Sequence, residues 1–276
     1  MDNDHPRVTV IIPCYNEAGL LPDAVESARS QTIGPPHVVV VDDGSTDDTA
    51  NVVATLGVTY VARRNGGPAA ARNTGLSYVK TDYVVFLDAD DMLHPRHNES
   101  CLEALNTNPE AAYAYTQWEE FGAANERSGF RPFDADALLA QNYIHMSSLF
   151  HARALRDVNF DERLRSGMED WDLYLSLLRR GRPGVLVDEP LLLYRVRHGR
   201  THTLRTRPLK YHLICIYVTL KHRRLYGVRR TLKRLYEISA LIWECIFWAS
   251  PLKKVARRRA KASPPASPDG STSTMR

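Results

Sequence analysis

The sequence predicts an α/β fold, in which a mostly parallel central sheet is flanked by helices and followed by a C-terminal helical extension. Three observations support this fold class. Short apolar runs alternate with helical patterns in units of roughly 30 residues, which is typical of right-handed strand–helix–strand crossovers. Three of the apolar runs end in unusual polar groups. After Tyr194 the pattern becomes helical and strongly basic.

The first unit predicts a strand, a helix and a second strand. Residues 8–12 are rich in β-branched side chains, and Pro13, which lacks a backbone N–H, ends that strand. Residues 20–30 carry apolar side chains at helical spacing and predict a helix. Residues 38–41 form a second apolar run, which leads into the polar residues 42–45.

The next units repeat this pattern. Ser45 and Asp48 predict a capping box, and apolar side chains up to Leu56 continue the helix that it starts. A third strand is predicted over residues 58–62 and a helix over residues 69–78. Because each helix separates two strands, the sequence predicts crossover connections and parallel pairing.

The fourth strand, predicted over residues 83–87, ends in the most informative junction of the chain. Its apolar run passes directly into the acidic segment 88–91, Asp-Ala-Asp-Asp. Carboxylates crowded at one strand end repel one another unless a cation lies between them, and oxygen ligands suit Mg²⁺ or Mn²⁺. The junction therefore indicates a metal–diphosphate site, with a solvated acidic turn as the alternative. Since ligands gather at the carboxyl ends of parallel strands, residues 13–17 and 42–45 should lie at the same edge.

The region 95–194 gives weaker signals. Leu102 and Leu105 suggest a helix, and residues 111–116 suggest a strand. Residues 168–172, Met-Glu-Asp-Trp-Asp, predict the start of another helix. Acidic residues in a first helical turn interact favourably with the helix macrodipole, so ordinary helix-start chemistry is an alternative to a functional site here.

Composition is that of a globular protein with uneven charge. Of 276 residues, 43% are hydrophobic and 25% charged, which is enough to bury a full core. Residues 1–194 contain 16 Lys and Arg against 29 Asp and Glu, whereas residues 195–276 contain 20 against 3. The basic segment indicates a negatively charged partner, such as anionic lipid, nucleic acid or a phosphorylated acceptor, or else a solvated helical surface.

The C-terminal segment predicts amphipathic helices. Charged residues interrupt its apolar runs, which fall short of the ~20 apolar residues that a membrane span needs. A basic cluster follows at residues 253–259. The predicted extension, residues 201–262, either lies on an anionic bilayer surface or packs on the rest of the chain. Residues 263–276, rich in Ser, Pro and Thr, are expected to be disordered.

Several classes of protein are disfavoured. The four cysteines lie far apart and form no CxxC pair, so neither a zinc knuckle nor a disulfide framework is predicted, and a reducing cytosol is expected. Residues 1–7 are polar and show no secretory signal. No GxGxxG follows a strand, as a dinucleotide dehydrogenase would require, and no Gly-rich, Lys-bearing loop follows the first strand, as a nucleotidyltransferase would require.

Taken in order, these motifs resemble the inverting glycosyltransferases of family 2, which have the GT-A fold. The resemblance covers about residues 6–198 and rests on five segments, residues 10–17, 41–47, 65–75, 88–91 and 169–172. It implies a Rossmann-like GT-A domain over residues 6–200. Its nucleotide-binding half would span about residues 6–95 and its acceptor half about residues 96–200.

The resemblance also implies roles for single residues. Asp170 is expected to be the general base, and Asp90, with Asp88, to bind Mg²⁺ or Mn²⁺ in a DxD motif. Asp43 is expected to read the nucleobase, as a uracil-reading carboxylate does, and Arg72 to meet a phosphate. Arg197 and His198 are both candidates for a diphosphate contact. The residues expected to bind the nucleotide sugar are Pro13, Tyr15, Glu17, Asp43, Asn65, Arg72, Asp88, Asp90 and His198.

The implied activity is metal-dependent transfer of a sugar from a nucleotide-diphosphate donor, with UDP-sugar favoured, to a hydroxyl of a glycan or lipid-linked acceptor. The sequence lacks a Gln-x-x-Arg-Trp motif and transmembrane helices, which favours a single transfer over processive synthesis in the membrane. The alternative is a catalytically inactive glycosyltransferase-like binding module recruited through its basic tail. No nucleic-acid partner is expected, and the expected location is cytoplasmic, including the inner face of the cytoplasmic membrane.

Overall fold

A central sheet of eight strands organises the computed structural model, which describes residues 7–123, 131–165, 167–197 and 208–249. Across the sheet the strands run in the order β3-β2-β1-β4-β7-β6-β8-β5. Their bounds are β1 Val8–Cys14, β2 His37–Asp42, β3 Thr59–Ala62, β4 Tyr83–Phe86, β5 Met92–Leu93, β6 Tyr113–Gly122, β7 Leu149–His151 and β8 Gly184–Val196.

Helices cover both faces of this sheet and extend beyond it. Their bounds are α1 Leu21–Arg29, α2 Thr49–Leu56, α3 Pro68–Leu76, α4 His97–Thr107, α5 Ala135–Ala140, α6 Glu169–Leu178, α7 Pro208–Lys221 and α8 Arg223–Ala249, with a 3₁₀ turn at Ala152–Leu155. The predicted strands and helices of the first 90 residues are all present, with ends that differ by one or two residues, except that α2 begins three residues later than a cap at Ser45 implies.

The first four strands bring their carboxyl ends to one edge. β1 pairs in parallel with β2 and with β4, and β2 pairs in parallel with β3. In this register Cys14 lies opposite Asp42, and Asp42 lies opposite Ala62. The prediction that the polar strand ends share one edge is therefore confirmed. β7 is antiparallel to β4 and β6, and β8 is parallel to β6.

The core lies on both faces of the sheet. Ile11, Val39 and Phe86 belong to one buried cluster, while Val10 and Val40 belong to the other. Strands buried on both faces need continuous apolar runs, which is why the sequence showed such runs instead of alternation.

Some local predictions differ from the structure. The capping box predicted on Ser45 and Asp48 is wrong, because the Ser45 hydroxyl accepts a hydrogen bond from the Asn16 backbone N–H and Asp48 makes no side-chain capping bond. Instead, Asp47 Oδ1 accepts from the backbone N–H of Thr49 at 3.1 Å. The strands β5 and β7, of two and three residues, were too short to produce a detectable pattern.

The helices α7 and α8 pack on the body of the protein. Val218 and Tyr226 are buried in the same cluster as the sheet, and a kink at Gly227 (φ 68°, ψ 166°) separates them from the rest of α8. The packing alternative is therefore confirmed for this part of the extension. Within the described ranges, none of the helices has the length and apolar character needed to cross a membrane. The basic cluster 253–259 and the predicted disordered tail 263–276 lie outside the described residues.

Candidate active site

The loops after β1 and β2 are joined at the polar edge. The Asn16 side chain accepts a 2.7 Å hydrogen bond from the Thr46 backbone N–H, and the Asp43 backbone N–H donates to the Cys14 carbonyl at 2.8 Å. Tyr15 extends from this pair of loops and is 48% exposed. Two of the predicted nucleotide-binding segments are thus a single connected surface.

Asp43 organises the loop that precedes α3. Its buried carboxylate pairs with Arg63, accepts from the Gly66 backbone N–H at 3.0 Å, and accepts from the Gly67 backbone N–H at 2.6 Å. Gly67 has a φ of 91°, a conformation that favours glycine. In this structure the carboxylate predicted to read a nucleobase therefore shapes the loop, and nearby Asn65 accepts from Arg165.

Arg72, on α3, joins two of the predicted motifs. The guanidinium donates to Glu169 Oε1 through Nη1 and to Asp88 Oδ1 through Nη2, each at 2.7 Å. Arg72 is 4% exposed, so these are the contacts of a buried cation and not of a surface side chain. Burial acts to raise the pKa of Asp88, but the charge of Arg72 holds it below its ordinary value. Arg72 was predicted to meet a phosphate; here it is held between two carboxylates.

A second arginine, Arg197, directly follows β8 and lies at the acidic junction. Nη2 of Arg197 lies 2.8 Å from Asp90 Oδ2 and 2.8 Å from Glu17 Oε2. Arg195 donates to the Asp90 carbonyl from Nε at 2.9 Å. The structure thus brings Glu17, Asp90 and Arg197 together, whereas His198 lies outside the described residues.

Asp91 is the most deeply buried carboxylate of the junction. It is 1% exposed, and its Oδ1 accepts from the Arg195 backbone N–H at 2.9 Å. Its Oδ2 is buried with no hydrogen-bond partner among the described residues, and His145 Nε2 lies 3.9 Å from it. Burial, followed by the charges of Asp88 and Asp90, raises the pKa of Asp91 well above its ordinary value. The raised pKa of Asp91 agrees with the repulsion among the carboxylates of residues 88–91 that the sequence predicted.

The donor atoms of this junction fit a hard divalent cation. They are carboxylate oxygens, one of them buried and unbonded, at a strand end. Across the described part of the chain, however, no group of three or more His, Cys, Asp or Glu side chains is already arranged to hold a metal ion. A cation bound here would need ligands from a substrate, and Mg²⁺ commonly combines one or two carboxylates with substrate phosphates.

Asp170 lies in the first turn of α6, next to Glu169. Its Oδ2 accepts from the Asn142 side-chain amide at 2.8 Å, and its Oδ1 accepts from the Trp171 backbone N–H at 2.7 Å. Burial, and then the charge of Glu169, raise the pKa of Asp170 to about 7. A carboxyl group with such a pKa can take a proton near neutral pH. Through Arg72 the turn is connected to Asp88, so the structure places the two acidic motifs at one site.

Sequence reasoning missed several of these contacts. Asn142 and Arg63 belong to no motif, and only the folded chain places them beside Asp170 and Asp43. Glu169 stood in a quoted motif but was given no role. The contact of Glu169 with Arg72 could not be seen in the sequence, because the two residues are 97 positions apart.

Comparison with known proteins gives a consistent picture. The family model described as Glycosyl transferase family 2 matches residues 9–176, more than half of the chain. An uncharacterized glycosyltransferase of Rickettsia felis is 30% identical over 224 residues, which cover 77% of this chain and 36% of the relative. The chondroitin synthase of Pasteurella multocida is 29% identical over 233 residues, which cover 80% of this chain and 24% of the synthase. The chain thus spans well under half the length of these relatives.

Solved structures share the architecture. TarS of S. aureus in complex with UDP-GlcNAc has a TM-score of 0.68 at 18% identity, covering 84% of this chain and 71% of that one. The mannosyltransferase PcManGT of Pyrobaculum calidifontis, in complex with GDP-Man and Mn²⁺, has a TM-score of 0.61 at 19% identity, covering 94% and 80%. At these identities the likeness shows the fold alone, and the predicted GT-A fold with C-terminal helices is confirmed.

Proposed function

This chain belongs to glycosyl transferase family 2, and from that premise we propose that it transfers a sugar from a nucleotide-diphosphate donor to a hydroxyl of a glycan or lipid-linked acceptor, with inversion. A UDP-sugar is the proposed donor class. The observation that most supports this is the Arg72 bridge, which joins Asp88 on the donor side to the turn that carries Asp170. A leaving-group site and a base are thereby held at one edge of the sheet.

Asp170 is proposed to deprotonate the acceptor hydroxyl. An alcohol is a poor nucleophile until a base takes its proton, and such base catalysis is typically worth about 10²–10⁴-fold. The amide of Asn142 holds Oδ2 of the carboxylate and so orients it. Single displacement needs no covalent nucleophile, so one base is sufficient for a reaction that inverts the sugar carbon.

The acidic junction is proposed to receive the donor diphosphate. Asp90 and Asp88 would hold Mg²⁺ or Mn²⁺ there together with phosphate oxygens. When bound, the cation would act as a Lewis acid that stabilises negative charge on the leaving diphosphate. Arg197, which already lies beside Asp90, is a charge-assisted donor in reach of the same group. His198 is retained as a candidate for this contact.

The nucleobase is proposed to bind between the loops after β1 and β2. Tyr15, two residues after Pro13, is 48% exposed and offers its ring to a base. Asp43 supports the pocket by holding the glycine loop, and Asn65 lies in that loop. PcManGT is recorded with GDP-Man and TarS with UDP-GlcNAc, so uridine and guanosine donors are the two to compare first.

The donor proposal is tested by thermal unfolding with UDP and GDP, each with and without Mn²⁺. A ligand that binds only the folded state raises its stability, by about 2.7 kcal/mol at a hundredfold excess over its dissociation constant. The expected result is a Mn²⁺-dependent rise with UDP that disappears in Asp90→Ala. Asp136→Ala, which removes an exposed carboxylate on α5, is the control and should keep the rise.

Two results would contradict the proposal in different ways. A rise that persists in Asp90→Ala would remove this residue from the metal site. Absence of nucleotide binding, together with no hydrolysis of a panel of sugar nucleotides, would favour the alternative of an inactive binding module recruited through its basic tail.

An anionic membrane surface is the proposed partner of the extension, residues 201–262. On α8 an apolar stripe faces away from the body, formed by Val228, Leu232, Tyr236 and Trp243, each at least 62% exposed. The exposed cations Arg229 and Lys233 lie on the same helix. An exposed apolar face with adjacent cations suits a helix that lies in an anionic interface. The buried residues Thr231 and Ile238 lie on the same helix, so packing on the body leaves the apolar stripe open to the proposed membrane contact.

A further inference from the structure

A buried ionic cluster ties α7 to the helix that carries Asp170. Asp172, two residues further along α6, is 0% exposed. Its Oδ2 accepts from Lys221 Nζ at 2.7 Å, and its Oδ1 lies 2.8 Å from Nε2 of the equally buried His222. Lys221 also reaches Asp161, which precedes α6, at 2.8 Å. A buried carboxylate needs such partners, since removing one leaves an uncompensated charge.

Two further contacts join the first turn of α6 to α7 and α8. Met168 immediately precedes α6 and has a φ of 68°, an uncommon conformation for a residue other than glycine. Its sulfur lies 4.0 Å from Sγ of the buried Cys215 on α7. The guanidinium of Arg234, on α8, lies 5.2 Å from the ring centre of Trp171 and donates to the Ala140 carbonyl at 2.8 Å. Side chains on both sides of Asp170 are therefore in contact with α7 or α8.

We propose that α7 and α8 position the catalytic base, with Lys221 and His222 as the positioning residues that fix the first turn of α6. The inference rests on the proposed role of Asp170. It goes beyond family membership because the family match ends at residue 176. Asn142 and Arg72, which also hold this turn, lie inside the matched region, whereas the contacts made by Lys221 and His222 come from outside it. In this proposal both helices support the proposed base, and α8 also presents the apolar stripe.

The energetic reason is the sensitivity of catalysis to geometry. A displacement of about 1 Å in a catalytic group can cost about 10²-fold in rate. Asp170 is constrained locally by Asn142 and by the Trp171 backbone N–H, but neither contact fixes the position of the helix itself. The ionic cluster does so, because Asp172 is part of α6, while Lys221 ends α7 and His222 joins α7 to α8.

The test compares Lys221→Gln and His222→Gln with Arg230→Gln. The control removes an exposed ion pair between α8 and Asp136 and touches no residue of α6. Hydrogen exchange of residues 167–178 reports how readily this part of the chain opens, without any assumption about activity. Donor hydrolysis gives kcat and KM. Lys221→Arg keeps the charge and should rescue the Lys221 variant.

The expected result is local. In the two test variants, exchange at residues 172–176, whose N–H groups are bonded within the helix, should be faster by about tenfold or more. Values of kcat should fall by about 10- to 100-fold with KM for the donor within about twofold. Arg230→Gln and Lys221→Arg should behave like the wild type.

Three results would overturn the inference. In the first, exchange in α6 is unchanged and kcat is that of the wild type. In the second, exchange rises uniformly over the molecule with a lowered melting temperature, which indicates a role in stability alone. In the third, Lys221→Arg fails to rescue. If the wild-type protein hydrolyses no donor, the proposed function fails while the exchange measurement still decides whether these helices hold the turn.

Discussion

The surroundings of one carboxyl group decide whether Asp170 can act as a base. An aspartate with an ordinary pKa of 3.8 holds protons too weakly to take one from an alcohol efficiently, whereas burial and the charge of Glu169 raise the pKa of Asp170 to about 7. The same structure holds the pKa of Asp88 low through Arg72. Two acidic motifs at one site therefore differ in chemistry, one suited to proton transfer and the other to remaining charged.

This difference predicts a pH dependence of both activity and stability. Because the proposed base acts when ionised, the rate should fall as the pH is lowered through about 7. For stability the sign is opposite. Between the ordinary pKa of 3.8 and about 7 the folded state keeps a proton that the unfolded state has lost. The stabilisation that protonated Asp170 gives to the folded state is therefore fully present below pH 3.8 and is lost as the pH rises through about 7.

Denaturant unfolding and donor turnover, measured from pH 4 to pH 9, check this prediction. Asp170→Asn should be inactive at every pH, and its stability advantage over the wild type should grow as the pH rises. Parallel stability profiles of the two proteins would show that the pKa of Asp170 is not raised.

At the scale of elements, α3 is positioned by a close approach to β1. A Cβ added to Gly75 would come 2.4 Å from Cγ2 of Ile11, a distance that real side chains do not reach. Because Gly75 has no side chain, α3 can lie directly against β1. This position of α3 places Arg72 within hydrogen-bond distance of Asp88 and Glu169. The sequence showed Gly75 only as part of a motif, and its packing reason appears in the structure.

Gly75→Ala should therefore destabilise the protein, by about 1–3 kcal/mol from overpacking. Helix propensity alone would give the opposite sign, since alanine is favoured over glycine by about 1 kcal/mol within helices. Overpacking is expected to win because the neighbour is the side chain of a buried strand. Chemical denaturation measures the change, with Gly19→Ala, which meets nothing within 4 Å, as the control. A stabilised Gly75→Ala protein would contradict this account of α3.

Strand β8 is not predicted from the sequence, because the local residue pattern of this segment is not that of a strand although the segment pairs with β6. In β8, residues 188–190 are Asp, Glu and Pro, which interrupt any strand pattern. The structure accommodates them with register shifts against β6 on either side of Gln117. β8 matters because it delivers Arg195 and Arg197 to the acidic junction. The sequence does not show this strand, because the segment is held extended by its pairing with β6 and not by a strand pattern of its own.

At the scale of the whole molecule, the charge asymmetry divides into two parts. Some cations of the C-terminal segment are used internally, as Lys221 is with Asp161 and Asp172. Others, such as Arg229 and Lys233, remain exposed near the apolar stripe. A basic segment can therefore both pack on an acidic body and offer a charged surface.

Membrane binding should depend on the apolar stripe. Leu232→Ser with Tyr236→Ser should weaken binding to vesicles of phosphatidylcholine and phosphatidylglycerol by tenfold or more, since burying one large apolar side chain is worth about 1.5–3 kcal/mol. Vesicle cosedimentation at low salt measures this, and Ile33→Ser, at an exposed apolar position on the body, is the matched control. Deleting the helices would be a poorer test because Val218 and Tyr226 are part of the core. Full-length protein that ignores anionic vesicles at low salt would end the membrane proposal.

By itself the sequence determined the α/β class, the positions of the first four strands along the chain and the polar edge with its acidic junction. These features are local, because apolar runs and the residues that end them are read within a few positions. Only the tertiary structure decided which arginine meets which carboxylate, and which face of α8 is covered. Arg72 meets Glu169 across 97 residues, and Arg197 meets Glu17 across 180. No local pattern encodes such pairs, since they exist only once packing has brought distant segments together.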